Sequence, residues 1–221
     1  MESLTTAAVL TRCDDAGVAM LVLDTDHGPA HARIHDVVDP RGVLVLGHGA
    51  GGGVGAKDLV ETKDAALSVG IAVALVEQPY RAAGRRSPPP GWQLDVAWMT
   101  VVDGLRAGWF RELPLVAGGR SSGARVACRT SGATGAAGVL CLAFPLQPPQ
   151  GQRPEPRPSR LPELEIVAVE TLVVQGERDQ FGIPPAGPLR QVCLVPGDHS
   201  LRNGLGTAAP RLAEWLLQRC R

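Results

Sequence analysis

The sequence predicts an α/β fold on a doubly wound, mostly parallel sheet, and three observations predict it. Short apolar runs recur at residues 43–46, 71–76, 115–117, 139–142, 171–174 and 192–195. Segments with helical spacing separate most of them. The runs themselves do not alternate between apolar and polar, which is what a strand covered on both faces requires. Strands of that kind in alternation with helices build a parallel sheet.

The elements follow in order. Residues 4–11 and 18–23, the second with a continuation through 30–37, read as two antiparallel N-terminal strands. Helices are expected at 56–69, 94–109, 122–131 and 208–220. In the second of these, Leu94, Ala97, Trp98, Val101, Val102, Leu105 and Trp109 recur at intervals of three and four, the stripe of a helix lying on a sheet. Two stretches fit neither pattern and read as surface loops. Residues 78–92 hold Arg81, Arg85, Arg86 and Pro88-Pro89-Pro90, and residues 145–162 are dense in proline, which blocks both helix and ladder hydrogen bonds. Neither is long enough for a second domain, so residues 1–221 read as one domain with a minimal cap or none.

Composition narrows the function. Lys+Arg and Asp+Glu are both 22, a formal charge of zero, which argues against nucleic acid as a partner. No run approaches a membrane span, and the start Met1-Glu2-Ser3 lacks the basic region of a signal peptide. The 5 cysteines (Cys13, Cys128, Cys141, Cys193, Cys220) are widely spaced and mostly in apolar surroundings, reading as reduced residues of a cytoplasmic protein. His27, His31 and His35 lie four apart, but Gly28-Pro29 interrupts any helix that would gather them on a metal, so no metal is expected.

The strongest chemical signal is Gly119-Arg120-Ser121-Ser122-Gly123, a G-x-S-x-G between a strand-like run and a helix-like one. A serine on so tight a strand-to-helix turn projects its hydroxyl above the sheet edge, and small residues two before and two after avoid collision with neighbouring backbone. The amide of Ser122 then faces an oxygen on which negative charge develops. A serine hydroxyl needs a base, and the base an orienting acid. Asp179 and His199 each follow a later strand-like run. Asp198 adjoins His199, but consecutive side chains point apart, so Asp179 is the better orienting acid, with Glu177 behind it.

Upstream, Gly47-His48-Gly49-Ala50-Gly51-Gly52-Gly53 is a glycine-rich bend after the first parallel-type strand. It can turn a backbone amide, that of Ala50 or else Gly51, toward the serine as a second oxyanion donor, with His48 as a structural hydrogen-bonding residue. The same bend spells G-x-G-x-x-G with Glu77 ending the next strand, the outline of a dinucleotide site. That rival leaves the serine, aspartate and histidine loops unexplained.

These blocks, with Glu77-Gln78-Pro79-Tyr80-Arg81 and Gln175-Gly176-Glu177-Arg178-Asp179, resemble the α/β-hydrolase superfamily. More narrowly, they resemble its dienelactone-hydrolase-like branch with the testis-expressed and NSL-complex-subunit hydrolase-like proteins. The resemblance implies an α/β-hydrolase fold with Ser121 as nucleophile, Asp179 as orienting acid and His199 as base. Ser122 stands where such proteins often have methionine or leucine. The expected activity is hydrolysis of a small-molecule acyl substrate (ester, thioester or lactone) without a cofactor. Gly51, Tyr80, Arg81 and Arg120 are candidate substrate contacts. An interaction protein that keeps the fold without turnover is the alternative, and a dinucleotide-binding protein the third.

Overall fold

The computed structural model describes residues 8–13, 18–149, 157–202 and 204–221, with side chains from residue 18 onward. The strands are β1 (Ala8–Cys13), β2 (Ala19–Leu23), β3 (Ala30–His35), β4 (Gly42–Gly47), β5 (Ile71–Glu77), β6 (Leu115–Arg120), β7 (Gly138–Leu142), β8 (Thr171–Gly176) and β9 (Arg190–Val195). They form one 9-stranded sheet in the order β1-β2-β3-β5-β4-β6-β7-β8-β9. The β1–β2, β2–β3 and β3–β5 pairs are antiparallel, and the remaining pairs are parallel.

Each apolar run became a parallel strand because the sheet is covered on both sides. In β4, Val43 and Val45 enter one core while Leu44 and Leu46 enter the other, and all four are fully buried. Helices α3 (Gly91–Ala107) and α4 (Ser122–Thr130) pack on the first face with the short α5 (Leu161–Glu165). Helices α1 (Lys57–Leu67) and α6 (Leu205–Arg219) cover the other. Leu94, Ala97, Trp98, Val101, Val102 and Leu105 are the buried stripe of α3, whereas Trp109 lies beyond the helix and is exposed.

Two local readings change. The stretch expected to continue β2 is a strand of its own, so a third antiparallel strand joins the N-terminal pair. A turn separates the two, in which the Thr25 hydroxyl donates to the Gly28 carbonyl and Gly28 takes a φ of 100°. Within the arginine- and proline-rich stretch, Pro79 opens a four-residue helix, α2 (Pro79–Ala82). The expected first strand begins in residues outside the described ones, and the proline-rich stretch includes residues 150–156, also outside them. Between β7 and β8, α5 is the only helix among the described residues.

No helix among the described residues is long and apolar enough to cross a membrane. His31 and His35 share one face of β3, while His27 sits in the preceding turn with its ring edge-on to Trp92, so the three do not converge.

Candidate active site

The C-terminal ends of β4, β6, β8 and β9 carry the loops that build the site, the last of them holding His199. Ser121 sits between β6 and α4 at φ 52°, ψ −106°, a conformation that L-residues rarely adopt. Its amide is tied to the Leu142 carbonyl at 2.9 Å, and its own carbonyl accepts from the Arg125 amide at 3.2 Å. The flanking glycines make this turn possible. A Cβ at Gly119 would lie 2.6 Å from the Gly47 carbonyl oxygen, and one at Gly123 would lie 2.5 Å from the same oxygen. No side chain fits at either position.

His199 Nε2 lies 3.0 Å from Ser121 Oγ, and its Nδ1 lies 2.8 Å from Asp179 Oδ2. A carboxylate only accepts, so Nδ1 carries the proton and Nε2 presents a lone pair to the serine hydroxyl. The Asp179 side chain is fully buried, whereas that of His199 keeps 16% of its surface exposed. Asp179 Oδ1 accepts from the Phe181 amide at 2.9 Å, and the Phe181 ring stands edge-on to the imidazole with centroids 4.6 Å apart. Asp198 takes no part in this chain. It is bonded to the hydroxyl and amide of Ser200, which hold its carboxyl below the usual range. Glu177 is exposed.

Gln175 and Phe181 are site residues to which sequence reasoning assigned no role. Gln175 is completely buried, and its amide nitrogen reaches Asp179 Oδ2 at 2.8 Å, the Gly182 carbonyl at 2.9 Å and the Phe144 carbonyl at 3.1 Å. The signal available was its place four residues before Asp179 in the block quoted above.

The glycine-rich bend after β4 runs beside Ser121, since a Cβ at Gly49 would come 3.6 Å from Ser121 Cβ. Its peptide planes are held from behind. The Gly49 carbonyl accepts from His48 Nδ1 at 2.9 Å and from the Gly52 amide at 3.1 Å. The trans peptide therefore turns the Ala50 N–H the opposite way. The Ala50 carbonyl accepts from the Tyr80 hydroxyl at 2.8 Å, which sets the Gly51 N–H in the same manner. A Cβ at Gly51 would meet open space. Ser122 is the first residue of α4, so its amide has no intrahelical acceptor.

His48 is 3% exposed and accepts from the Gln78 amide through Nε2 at 3.1 Å, so both ring nitrogens are committed in the neutral tautomer. Burial lowers its pKa, in keeping with that state. Tyr80 is 2% exposed, and burial pushes its hydroxyl up to about 12. The expected substrate contact at Tyr80 is therefore corrected: its ring is interior and its hydroxyl braces the bend.

Arg120 is likewise already engaged. Its Nε lies 2.6 Å from Asp58 Oδ2, and Nη2 donates to the His199 carbonyl at 3.3 Å. Burial alone would raise Asp58, and the Arg120 guanidinium opposes that rise. Arg120 thus ties α1 to the histidine loop. Arg81 donates to the Arg85 carbonyl at 3.3 Å and faces Gly53 in the glycine-rich bend. Beside His199 lies an open groove of about 310 Å³, lined by Arg120, Arg178, Gln180, Asp198, His199 and Ser200.

The dinucleotide outline does not fit this geometry. Helix α1 begins at Lys57, five residues beyond Gly52, so the glycines do not present a helix N-terminus to a pyrophosphate. The side-chain space at Gly49 is filled by the Arg120 guanidinium, with Nη1 2.7 Å from a Cβ placed there.

A family model described as an alpha/beta hydrolase domain matches residues 40–203. The chain belongs to that family. No curated protein matches it in sequence. Among solved structures, the hydrolase fold is shared with XC6422 from Xanthomonas campestris, described as a serine hydrolase without lid. That match has a TM-score of 0.71 at 19% identity over 94% of this chain and 97% of that one. Est1E from Butyrivibrio proteoclasticus with bound ferulic acid matches at TM-score 0.73 and 13% identity, over 96% of this chain and 99% of that one. A dienelactone hydrolase from Anabaena variabilis matches at 0.68 and 13%, over 97% and 98%.

Proposed function

We propose that this α/β hydrolase is a serine hydrolase acting on a small ester, thioester or lactone through an acyl-enzyme. One observation carries the reading: the unbroken hydrogen-bonded series from Ser121 Oγ through both nitrogens of His199 to buried Asp179. As Ser121 Oγ attacks the acyl carbonyl carbon, His199 Nε2 takes the hydroxyl proton and Asp179 stabilises the imidazolium. The amides of Ala50 and Ser122 hold the tetrahedral oxyanion. When the intermediate collapses, the leaving group departs with the proton from Nε2. Water, deprotonated by the same nitrogen, then attacks the acyl-enzyme and releases the acid and free Ser121.

The reading includes small or soluble acyl groups, because no cap helix that would bury a long chain occurs among the described residues. The narrower resemblance to the testis-expressed and NSL-complex-subunit proteins belongs to it as well, resting on the blocks around Ser121 and Asp179. Est1E with ferulic acid and the dienelactone hydrolase suggest ester and lactone substrates for the first assays.

Incubation with a small fluorophosphonate tests the core of the proposal. Intact mass should show a single adduct on Ser121, with fluoride displaced, and both Ser121→Ala and His199→Ala should lose it. No adduct on folded protein would overturn the reading in favour of an interaction protein that keeps the fold without turnover.

Tyr80→Phe probes the oxyanion bend. It removes the hydrogen bond to the Ala50 carbonyl and leaves the ring in place. A bond of this kind contributes about 1 kcal/mol, so kcat should fall roughly 5- to 10-fold with KM nearly unchanged. Equal kcat values in steady-state assays on a short ester would remove Tyr80 from this role.

A further inference from the structure

One and two turns beyond Ser121, α4 carries Arg125 and Arg129. Arg125 grips Glu163 with Nε and Nη2 at 2.8 and 2.5 Å. Arg129 grips Asp95 with Nε and Nη2 at 2.8 and 2.6 Å, and reaches Glu163 with Nη1 at 3.2 Å. The chain leading into α5 brings two more guanidinium groups, Arg157 and Arg160, to the same place. Arg160 donates to the Pro145 carbonyl at 3.2 Å and has no carboxylate partner among the described residues. Arg157 is exposed and has none either. Four guanidinium groups thus face two carboxylates.

Such crowding of like charge opposes folding unless something offsets it. At Arg160, desolvation brings the guanidinium down to about 10, with a smaller contribution from the neighbouring Arg125. The excess charge borders a wide, open depression of about 560 Å³. Arg157, Ser159 and Arg160 line it beside the paired Arg125 and Glu163, walled by Pro148, Pro158 and Pro162. The proline rings restrict the backbone that carries both arginines, so little freedom remains to be lost when a ligand arrives. No aromatic or branched aliphatic side chain lines it among the described residues, so nothing there would hold an apolar tail.

We propose that this depression is an oxyanion site, binding a phosphate group, free or borne by a hydrophilic small molecule, between Arg157 and Arg160. A phosphate monoester carries nearly two negative charges at neutral pH, matching the two guanidinium groups without a carboxylate among the described residues, and its oxygens suit the planar arginine fork. The inference does not rest on the hydrolase chemistry.

Titration of the full chain at fixed ionic strength tests it, read by calorimetry and by melting temperature. Inorganic phosphate and glucose 6-phosphate should each bind saturably at one site and raise the melting temperature, whereas glucose should do neither. A tighter fit for the sugar phosphate assigns the site to a phosphorylated metabolite, and equal affinities assign it to the free ion. Arg157→Gln and Arg160→Gln should each weaken binding at least tenfold. Arg157 is exposed, so its variant keeps the test valid should the Arg160 variant fold poorly. Arg111→Gln removes the same charge from an exposed arginine bonded to the Ala107 carbonyl, and it should bind as the native chain does. Absence of saturable binding, an equal loss in Arg111→Gln, or equally tight binding of citrate would overturn the proposal.

Discussion

Asp179→Asn should lower kcat on a short ester by about 1,000- to 10,000-fold, while Asp198→Asn should stay within about threefold of the native rate. The two acids lie on the same side of the molecule, and one of them is the immediate neighbour of His199. Only Asp179 touches the imidazole. Its Oδ2 accepts the Nδ1 proton, which leaves Nε2 free to accept from Ser121. An asparagine there can donate an amide hydrogen to Nδ1, so the ring adopts the other tautomer, with its proton on Nε2. A protonated Nε2 cannot take the serine proton, and the loss appears in kcat although the fold is intact. Asp198 is spent on Ser200 at the surface, so its replacement removes a local turn contact and no part of the proton path. Steady-state kinetics with urea unfolding of both variants checks this. A large loss in Asp198→Asn, or a native rate in Asp179→Asn, would reverse the assignment.

The parallel half of the fold was legible because two-sided burial writes itself as uninterrupted apolar runs. Each of the runs from residue 43 onward became a strand. The N-terminal part was read less well. In β2 and β3 one side of each strand is fully buried and the other only partly, so residues at alternate positions are freer to be polar, as His31, Arg33 and His35 are. A weaker pattern let the turn at residues 24–29 pass for a continuation. At the site, chain order and loop position pointed to Ser121, Asp179 and His199, each just past a strand end, and the structure brings the three within hydrogen-bonding reach. Among the bracing residues, His48 was legible as a hydrogen-bonding residue of the bend, whereas the partners of Tyr80 and Arg120 were not. Tyr80 turns inward because Pro79 starts a helical turn at the end of β5, and Arg120 is drawn to Asp58 on α1, 62 positions earlier in the chain (120 − 58 = 62). Contacts of that reach depend on the assembled sheet, and no local spacing encodes them.

Gln175→Met should destabilise the protein by about 2 kcal/mol, lowering the melting temperature by roughly 4–8 °C, and should slow labelling of Ser121 as well. Methionine nearly preserves the volume but removes the amide hydrogens that serve Asp179 Oδ2, Gly182 O and Phe144 O. The orientation of the native amide follows from those partners. Three oxygens surround one end of the side chain, so the nitrogen must face them, and a flipped amide would aim its own oxygen at all three. The opposite end bears the cost, for Gln175 Oε1 is buried without a partner. An unpaired buried acceptor costs about 1–3 kcal/mol, and a leucine or valine would have avoided it in a strand otherwise apolar from Leu172 to Val174. That cost is offset where one amide joins the ends of β7 and β8 to the acid of the proton path. Because the same Oδ2 receives both Gln175 and His199, loss of the amide frees the carboxylate to tilt away from Nδ1 and misalign the imidazole. Urea unfolding and the rate of fluorophosphonate labelling, measured on the same preparation, separate the two effects. Lower stability with native labelling would leave Gln175 a purely architectural residue, and an unchanged value of both would remove it from the network altogether.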